Sequence, residues 1–175
     1  MKLTAVLASK LLRQILVDYN YWPESESDSP LSIRRSKTIL DDKAILSRDA
    51  SMRRAAVKDS DPATTTYKAP NDRRIECKTL DETFKPLAAT ALLAVQTAAT
   101  SMQSGMAGLE TLEVPIEQSE YLVQVYSVFK QLTNPKVCYV VDGDATSSDP
   151  YTGLFITGQT SDGEVIIAQS LLIQT

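Results

Sequence analysis

Apolar residues recur at helical spacing from the start of the chain. Leu3, Leu7, Leu11, Ile15 and Tyr19 form one stripe, which Leu12 and Leu16 widen. This pattern predicts an amphipathic helix over the first twenty residues, stopped at Pro23. Between Pro23 and Pro30 the run Glu24-Ser25-Glu26-Ser27-Asp28-Ser29 has no apolar pattern and reads as a polar loop. Leu31-Ser32-Ile33 alternates like the start of a strand, which Arg34 and Arg35 mark as an exposed one. From Asp41 to Asn71 the periodicity disappears, and this segment is expected to be a long flexible insertion loop. Strand character returns at Arg73-Arg74-Ile75-Glu76-Cys77.

Pro86 suits a first helical turn, and Leu87, Ala91, Leu92, Val95, Ala98, Ala99 and Met102 predict a helix that Gly105 and Gly108 end. A further helix is predicted from about Glu117 to Leu132, with Leu122, Val125, Phe129 and Leu132 as its stripe and Asn134-Pro135 as its stop. Three strand-like runs follow, Val137 to Val141, Gly153 to Thr160 and Glu164 to Gln174. Ser161-Asp162-Gly163 is a short link of the kind that closes a hairpin. The predicted architecture is a single α+β domain over residues 1–175, with helices packed on an antiparallel sheet and a C-terminal β-hairpin.

Composition narrows the chemistry. The 175 residues contain no histidine, so nucleophile–histidine pairs, histidine general bases and histidine-ligated zinc are excluded. Cys77 and Cys138 lack Cys-x-x-Cys spacing and read as two buried free thiols. The N-terminal apolar run, Leu3 to Ala8, is short for a signal peptide and is followed by Lys10 and Arg13. Leu87 to Ala99 is too short for a membrane span, and a cytoplasmic chain without membrane contact is expected.

Charge is unevenly placed. Between Arg13 and Arg34 stand Asp18, Glu24, Glu26 and Asp28 with no base, and after Lys136 stand Asp142, Asp144, Asp149, Asp162 and Glu164, again with no base. These segments carry nine acids, which leaves the rest of the chain at +5 against a total of −4. Should they meet in space they would form a negative face suited to a basic protein partner and unsuited to nucleic acid.

Val140-Val141-Asp142-Gly143-Asp144-Ala145-Thr146 looks like the aspartyl motif of haloacid-dehalogenase-type phosphatases. Its position denies that reading, because no lysine follows it. A calcium loop from Asp142 fails as well, with Ser147 and Gly153 at the positions that need Gly and Glu.

A collinear set of segments is more informative. Tyr21-Trp22-Pro23-Glu24-Ser25-Glu26, then Arg74 to Phe84, Phe129 to Val137 and the hairpin Leu154 to Val165 resemble, in order, the nuclease A inhibitor family. The resemblance implies an α/β/α sandwich and a non-enzymatic inhibitor of a sugar-non-specific, metal-dependent endonuclease. Such an inhibitor needs no cofactor or metal of its own, and is implied to be a monomer alone and a 1:1 complex with its target. The match implies that Glu24 and the terminal carboxylate of Thr175 reach toward the target's metal site, with Glu26 and Trp22 as neighbouring partner-binding residues. Each has another reading: Glu24 as a solvated acid or helix cap, Glu26 as a bystander, Trp22 as a core plug. The insertion and the alanine-rich helix depart from the family's pattern. A non-catalytic adaptor on the same fold, binding another basic partner, is the alternative.

Overall fold

In the computed structural model, which describes residues 2–143 and 149–174, four helices flank one five-stranded antiparallel sheet. The first helix, α1 (Ala5–Asp18), starts at Thr4, whose hydroxyl accepts from the Leu7 amide at 3.4 Å. The Asp162 carboxylate, from the distant hairpin turn, accepts from the Ala5 amide at 3.1 Å. A carboxylate suits this end because the first-turn amides lack intrahelical acceptors. A bond from the Thr160 hydroxyl and, to a lesser degree, the one from Ala5 hold the Asp162 carboxyl below the usual carboxylate range.

The strands are β1 (Ser32–Ser36), β2 (Arg74–Lys78), β3 (Thr133–Val141), β4 (Tyr151–Gln159) and β5 (Val165–Ile173). They lie in the order β1-β5-β4-β3-β2, so the predicted C-terminal meander occupies the centre and the two short basic strands are the edges. Gly163, at φ +86°, closes the β4–β5 hairpin where Ser161-Asp162-Gly163 predicts it.

Strand residues alternate between two cores. Val137, Tyr139, Leu154, Ile156, Ile166 and Ala168 pack with Leu12, Trp22, Phe84, Leu122, Val125 and Phe129, under α1, α3 (Leu80–Gln103) and α4 (Glu110–Lys130). Cys138, Val140, Phe155, Val165 and Ile167 point to the other face, where Leu40 and Ile45 cover them. The molecule therefore has three layers, with helices on both sides of the sheet.

The second layer corrects the expectation of a flexible loop at 41–71. Residues 42–60 form α2 (Asp42–Ser60), capped by Asp41, whose carboxylate accepts from the Ala44 amide at 2.7 Å. The helix is fixed through charge as well as apolar contact. Asp49 and Arg53 are both fully buried and paired at 2.9 Å. Arg53 also donates to Asp149 at 3.2 Å and to the Val140 carbonyl at 3.1 Å, while Arg73 reaches Asp49 at 2.6 Å. Tyr67 donates to Asp149. Two carboxylates thus face two guanidiniums, and the set is neutral as a whole. Burial nevertheless pushes the Asp49 carboxyl up, against the pull of both arginines. Gly153 sits beneath Asp49, where a Cβ would collide with the carboxylate.

The cysteines give a second correction. β2 runs antiparallel to β3 with Cys77 directly opposite Cys138, and the two form a disulfide rather than free thiols. Cross-strand register brings together residues 61 positions apart, which spacing along the chain does not reveal. Such bonds are rare in a reducing cytosol, so the pairing pulls against the cytoplasmic expectation. Among the described residues no helix is long and apolar enough to cross a membrane.

Both long helices start earlier than predicted. A capping box between Thr79 and Glu82 starts α3 six residues before Pro86, which lies inside the helix. α4 likewise runs through Pro115. Gly105, at φ +70°, ends α3 as expected, and the Met106 amide bonds back to the Ser101 carbonyl at 2.9 Å.

Two tests follow from this packing. Arg53→Met leaves Asp49 and Asp149 buried without their shared cation and is expected to cost about 3–5 kcal/mol in urea unfolding; a loss under about 1 kcal/mol contradicts the pinned helix. Thiol titration of the denatured, unreduced protein should find no free sulfhydryl, and reduction should lower stability by about 2–4 kcal/mol. Two titratable thiols in the unreduced protein would contradict the pairing.

Candidate functional site

The polar loop after α1 is docked on the end of β5, so the first acidic segment lies beside Ile173 and Gln174. Both backbone groups of Ile173 make the junction: its carbonyl accepts from the Glu26 amide at 2.9 Å, and its amide donates to the Ser25 hydroxyl at 3.0 Å. Ser29 donates to the Leu171 carbonyl at 3.0 Å and lies 2.6 Å, oxygen to oxygen, from Ser25. The Gln174 side chain donates to the Glu24 carbonyl at 3.3 Å, and its amide to Pro150 at 3.0 Å. Serines serve here because a short hydroxyl can satisfy strand-end backbone groups that no further strand pairs.

Glu24 is exposed yet oriented. Its Oε2 accepts from Trp22 Nε1 at 2.9 Å and from the Tyr139 hydroxyl at 2.7 Å. Tyr139 projects from β3 toward α1, α3 and α4, so both donors are anchored in that core. Burial, followed by the bond to the Glu24 carboxylate, pushes the Tyr139 phenol up. Lys78 lies over the Tyr139 ring at 5.6 Å.

Of its two readings, Trp22 takes that of a core plug rather than a partner-binding residue. It is 2 % exposed and packs edge-to-face on Phe84 at 5.7 Å between ring centres. Its contribution to the loop is the indole N–H that holds Glu24. Glu26 and Asp28 are exposed on the same loop. Thr175 and the motif residues Asp144 to Thr146 lie outside the described residues.

The expected negative face is only partly assembled. β3 and β5 end, and β4 begins, at the side of the sheet where the acidic loop docks, and Asp162 and Glu164 lie at the opposite side. Those two acids have structural partners: Asp162 caps α1, and Glu164 takes a two-pronged ion pair from Arg35 at 2.8 and 2.9 Å. Asp149 is drawn into the buried Arg53 network. Asp142, directly after β3, is half-buried at the same side, and the acids exposed beside the end of β5 are the loop set Glu24, Glu26 and Asp28.

Sequence reasoning missed Tyr139 and Ser25 as the groups that fix this loop. Ser25 carried little signal, because Ser27 likewise stands between two acids and Ser29 follows in the same loop. Tyr139 carried none, because its role depends on strand register. No protein-family model matches the chain, and a search of curated proteins returns no match.

The shared acceptor makes a structural prediction. Glu24→Ala strips two largely buried donors of their acceptor and is expected to cost about 1–3 kcal/mol in urea unfolding, whereas Glu24→Gln, which keeps an oxygen there, should cost less than about 1 kcal/mol. Equal effects from the two variants would mean that the carboxylate position is not fixed by these bonds.

Proposed function

We propose that this chain is a protein inhibitor of a sugar-non-specific, metal-dependent endonuclease, acting by occlusion of the active site. A nuclease of that kind has a basic, metal-bearing cleft made for phosphates, and a carboxylate held at the right height competes for the same positions. The observation that carries the reading is the oriented, exposed Glu24 beside the strand that leads to the chain's end. The collinear resemblance to the nuclease A inhibitor family supports it. In this reading Glu24 and the Thr175 carboxylate approach the target's metal, and Glu26 contributes to the charged rim.

The physics of such a surface favours a fixed acid over a mobile one. An interface loses free energy for each side chain it must order, and Glu24 is already ordered by Trp22 and Tyr139. The surrounding loop charges raise the encounter rate with a basic cleft and set its orientation. No group on this chain needs to transfer a proton or attack a bond, so the lack of histidine is compatible with the role.

An adaptor that used residues 41–71 instead has less to draw on, since Asp49 and Arg53 lie in the core. Removing that segment would uncover one face of the sheet.

Point changes at the acidic loop are cleaner. The purified chain at equimolar concentration should abolish DNA and RNA cleavage by a sugar-non-specific, magnesium-dependent endonuclease of this class. Glu24→Gln and a Gly-Ser extension after Thr175 should each weaken inhibition about tenfold or more while thermal unfolding stays near that of the parent. Full nuclease activity in the presence of the parent chain overturns the function, and undiminished inhibition by both variants overturns the site.

A further inference from the structure

The outer halves of α3 and α4 form a helical arm with no core of its own. No residue between Ala91 and Tyr121 is buried. The twelve residues of α3 beyond Ala91 extend about 18 Å at 1.5 Å per residue. Yet this segment is rich in apolar side chains. Seven of the eleven large hydrophobic side chains exposed among the described residues lie between Leu92 and Val123, including Met106 at 83 % and Leu109 at 73 %. Isolated exposed apolar residues need no explanation, whereas a cluster confined to one projection marks a contact surface.

The pattern on α4 says what it would contact. Leu109, at the start of the helix, and Ile116 and Val123 within it are seven residues apart and lie on one stripe, while Glu113 and Glu120, four residues past Leu109 and Ile116, run along its border. Val123 also lines a groove of about 330 Å³ between the two helices, together with Phe84, Ala88, Leu122 and Tyr126. From residue 86 to residue 129 there are four acids, Glu110, Glu113, Glu117 and Glu120, and no base. The lysines that bracket this stretch, Lys85 and Lys130, both pair with Asp81 at the root of the arm, at 2.9 and 3.4 Å. The arm is therefore apolar along its stripe and negative along its edge.

We infer that this arm docks a basic amphipathic helix of a partner protein, with the partner's apolar anchors on the Leu109–Ile116–Val123 stripe and its lysines or arginines against Glu113 and Glu120. An amphipathic helix presents anchors at the same seven-residue interval, so the two repeats match. The charge complementarity selects this occupant. Nucleic acid and anionic membrane surfaces are repelled by the glutamates, and a second copy would set one glutamate row against another. The surface is separate from the Glu24 loop and does not depend on the inhibitor reading.

Fluorescence anisotropy with the full chain tests it, using three labelled peptides of about five helical turns. The first is an amphipathic leucine/lysine helix, the second its scramble of identical composition, and the third the leucine/glutamate equivalent. Saturable 1:1 binding of the first alone is expected, weakened about tenfold or more by Glu113→Lys with Glu120→Lys and, separately, by Ile116→Ser with Val123→Ser. These side chains lie outside the core, so unchanged thermal unfolding serves as the folding control. Glu24→Gln should leave peptide binding as in the parent. Equal binding of the scramble, or unchanged affinity in both double variants, overturns the proposal. So does a homodimer in sedimentation that Ile116→Ser with Val123→Ser dissociates, since the arm would then be covered by a second copy.

Discussion

The guanidinium of Arg53, enclosed between Asp49 and Asp149, is the constraint on which the architecture turns. The central strands are apolar on both faces, with Cys138, Val140, Phe155 and Ile167 alternating against Tyr139, Leu154 and Ile156. A sheet of this kind cannot leave one face in water, so α2 has to stay in place. Its own apolar residues are few, and the buried charges supply geometry that a few aliphatic contacts cannot. Burying ions is costly, and the cost is tolerable here because the group is neutral and most of its polar atoms are bonded. Arg53 reaches the Val140 carbonyl on β3, Asp149 accepts from the Tyr151 amide at the start of β4, and Arg73 ties Asp49 to the segment before β2. One ion cluster thereby registers a helix against three strands.

That arrangement explains where the amino-acid sequence was legible. Elements whose burial is apolar were readable: α1 from its leucine stripe, and the β4–β5 hairpin from alternation and its glycine link. Residues 41–71 were misread for the complementary reason. Asp49 and Arg53 stand four residues apart on the buried face, where a hydrophobic template registers them as surface. Long-range pairings were invisible in principle, since Cys77 and Cys138, or Glu24 and Tyr139, meet only once the sheet's register is set. Of the candidate site, the acidic loop itself was legible from its run of acids and serines. The role of Trp22 was not, because an aromatic beside an acid has the same pattern whether it faces a partner or the core.

Acids in this chain divide into those bound into the fold and those left to the surface, and net charge does not separate them. Asp162, Glu164, Asp49, Asp149 and Asp81 each have a defined partner within the fold. Glu24 belongs to both groups. The bonds that orient it outward are also bonds that keep Trp22 and Tyr139 satisfied, so losing the side chain and losing its charge are different perturbations. A surface carboxylate with that double attachment is rigid in a way that its exposure alone would not suggest.

The acidic loop and the helical arm are linked through packed rings. Trp22 contacts Phe84 at 5.7 Å, Phe84 contacts Tyr126 at 5.7 Å, and Tyr126 donates to Asp81, which holds Lys85 and Lys130 at the root of the arm. A continuous path of this kind invites the idea of communication between the two surfaces. Coupling needs more than contiguity: some element on the path must have two arrangements that the two surfaces bias differently. The structure holds these rings and the Asp81 contacts in one arrangement, and contiguity alone does not make the path a switch. Its effect is to fix the distance and orientation between Glu24 and the α3–α4 arm. A partner long enough to engage both would then gain from effective concentration, because the second contact needs no further ordering of this chain.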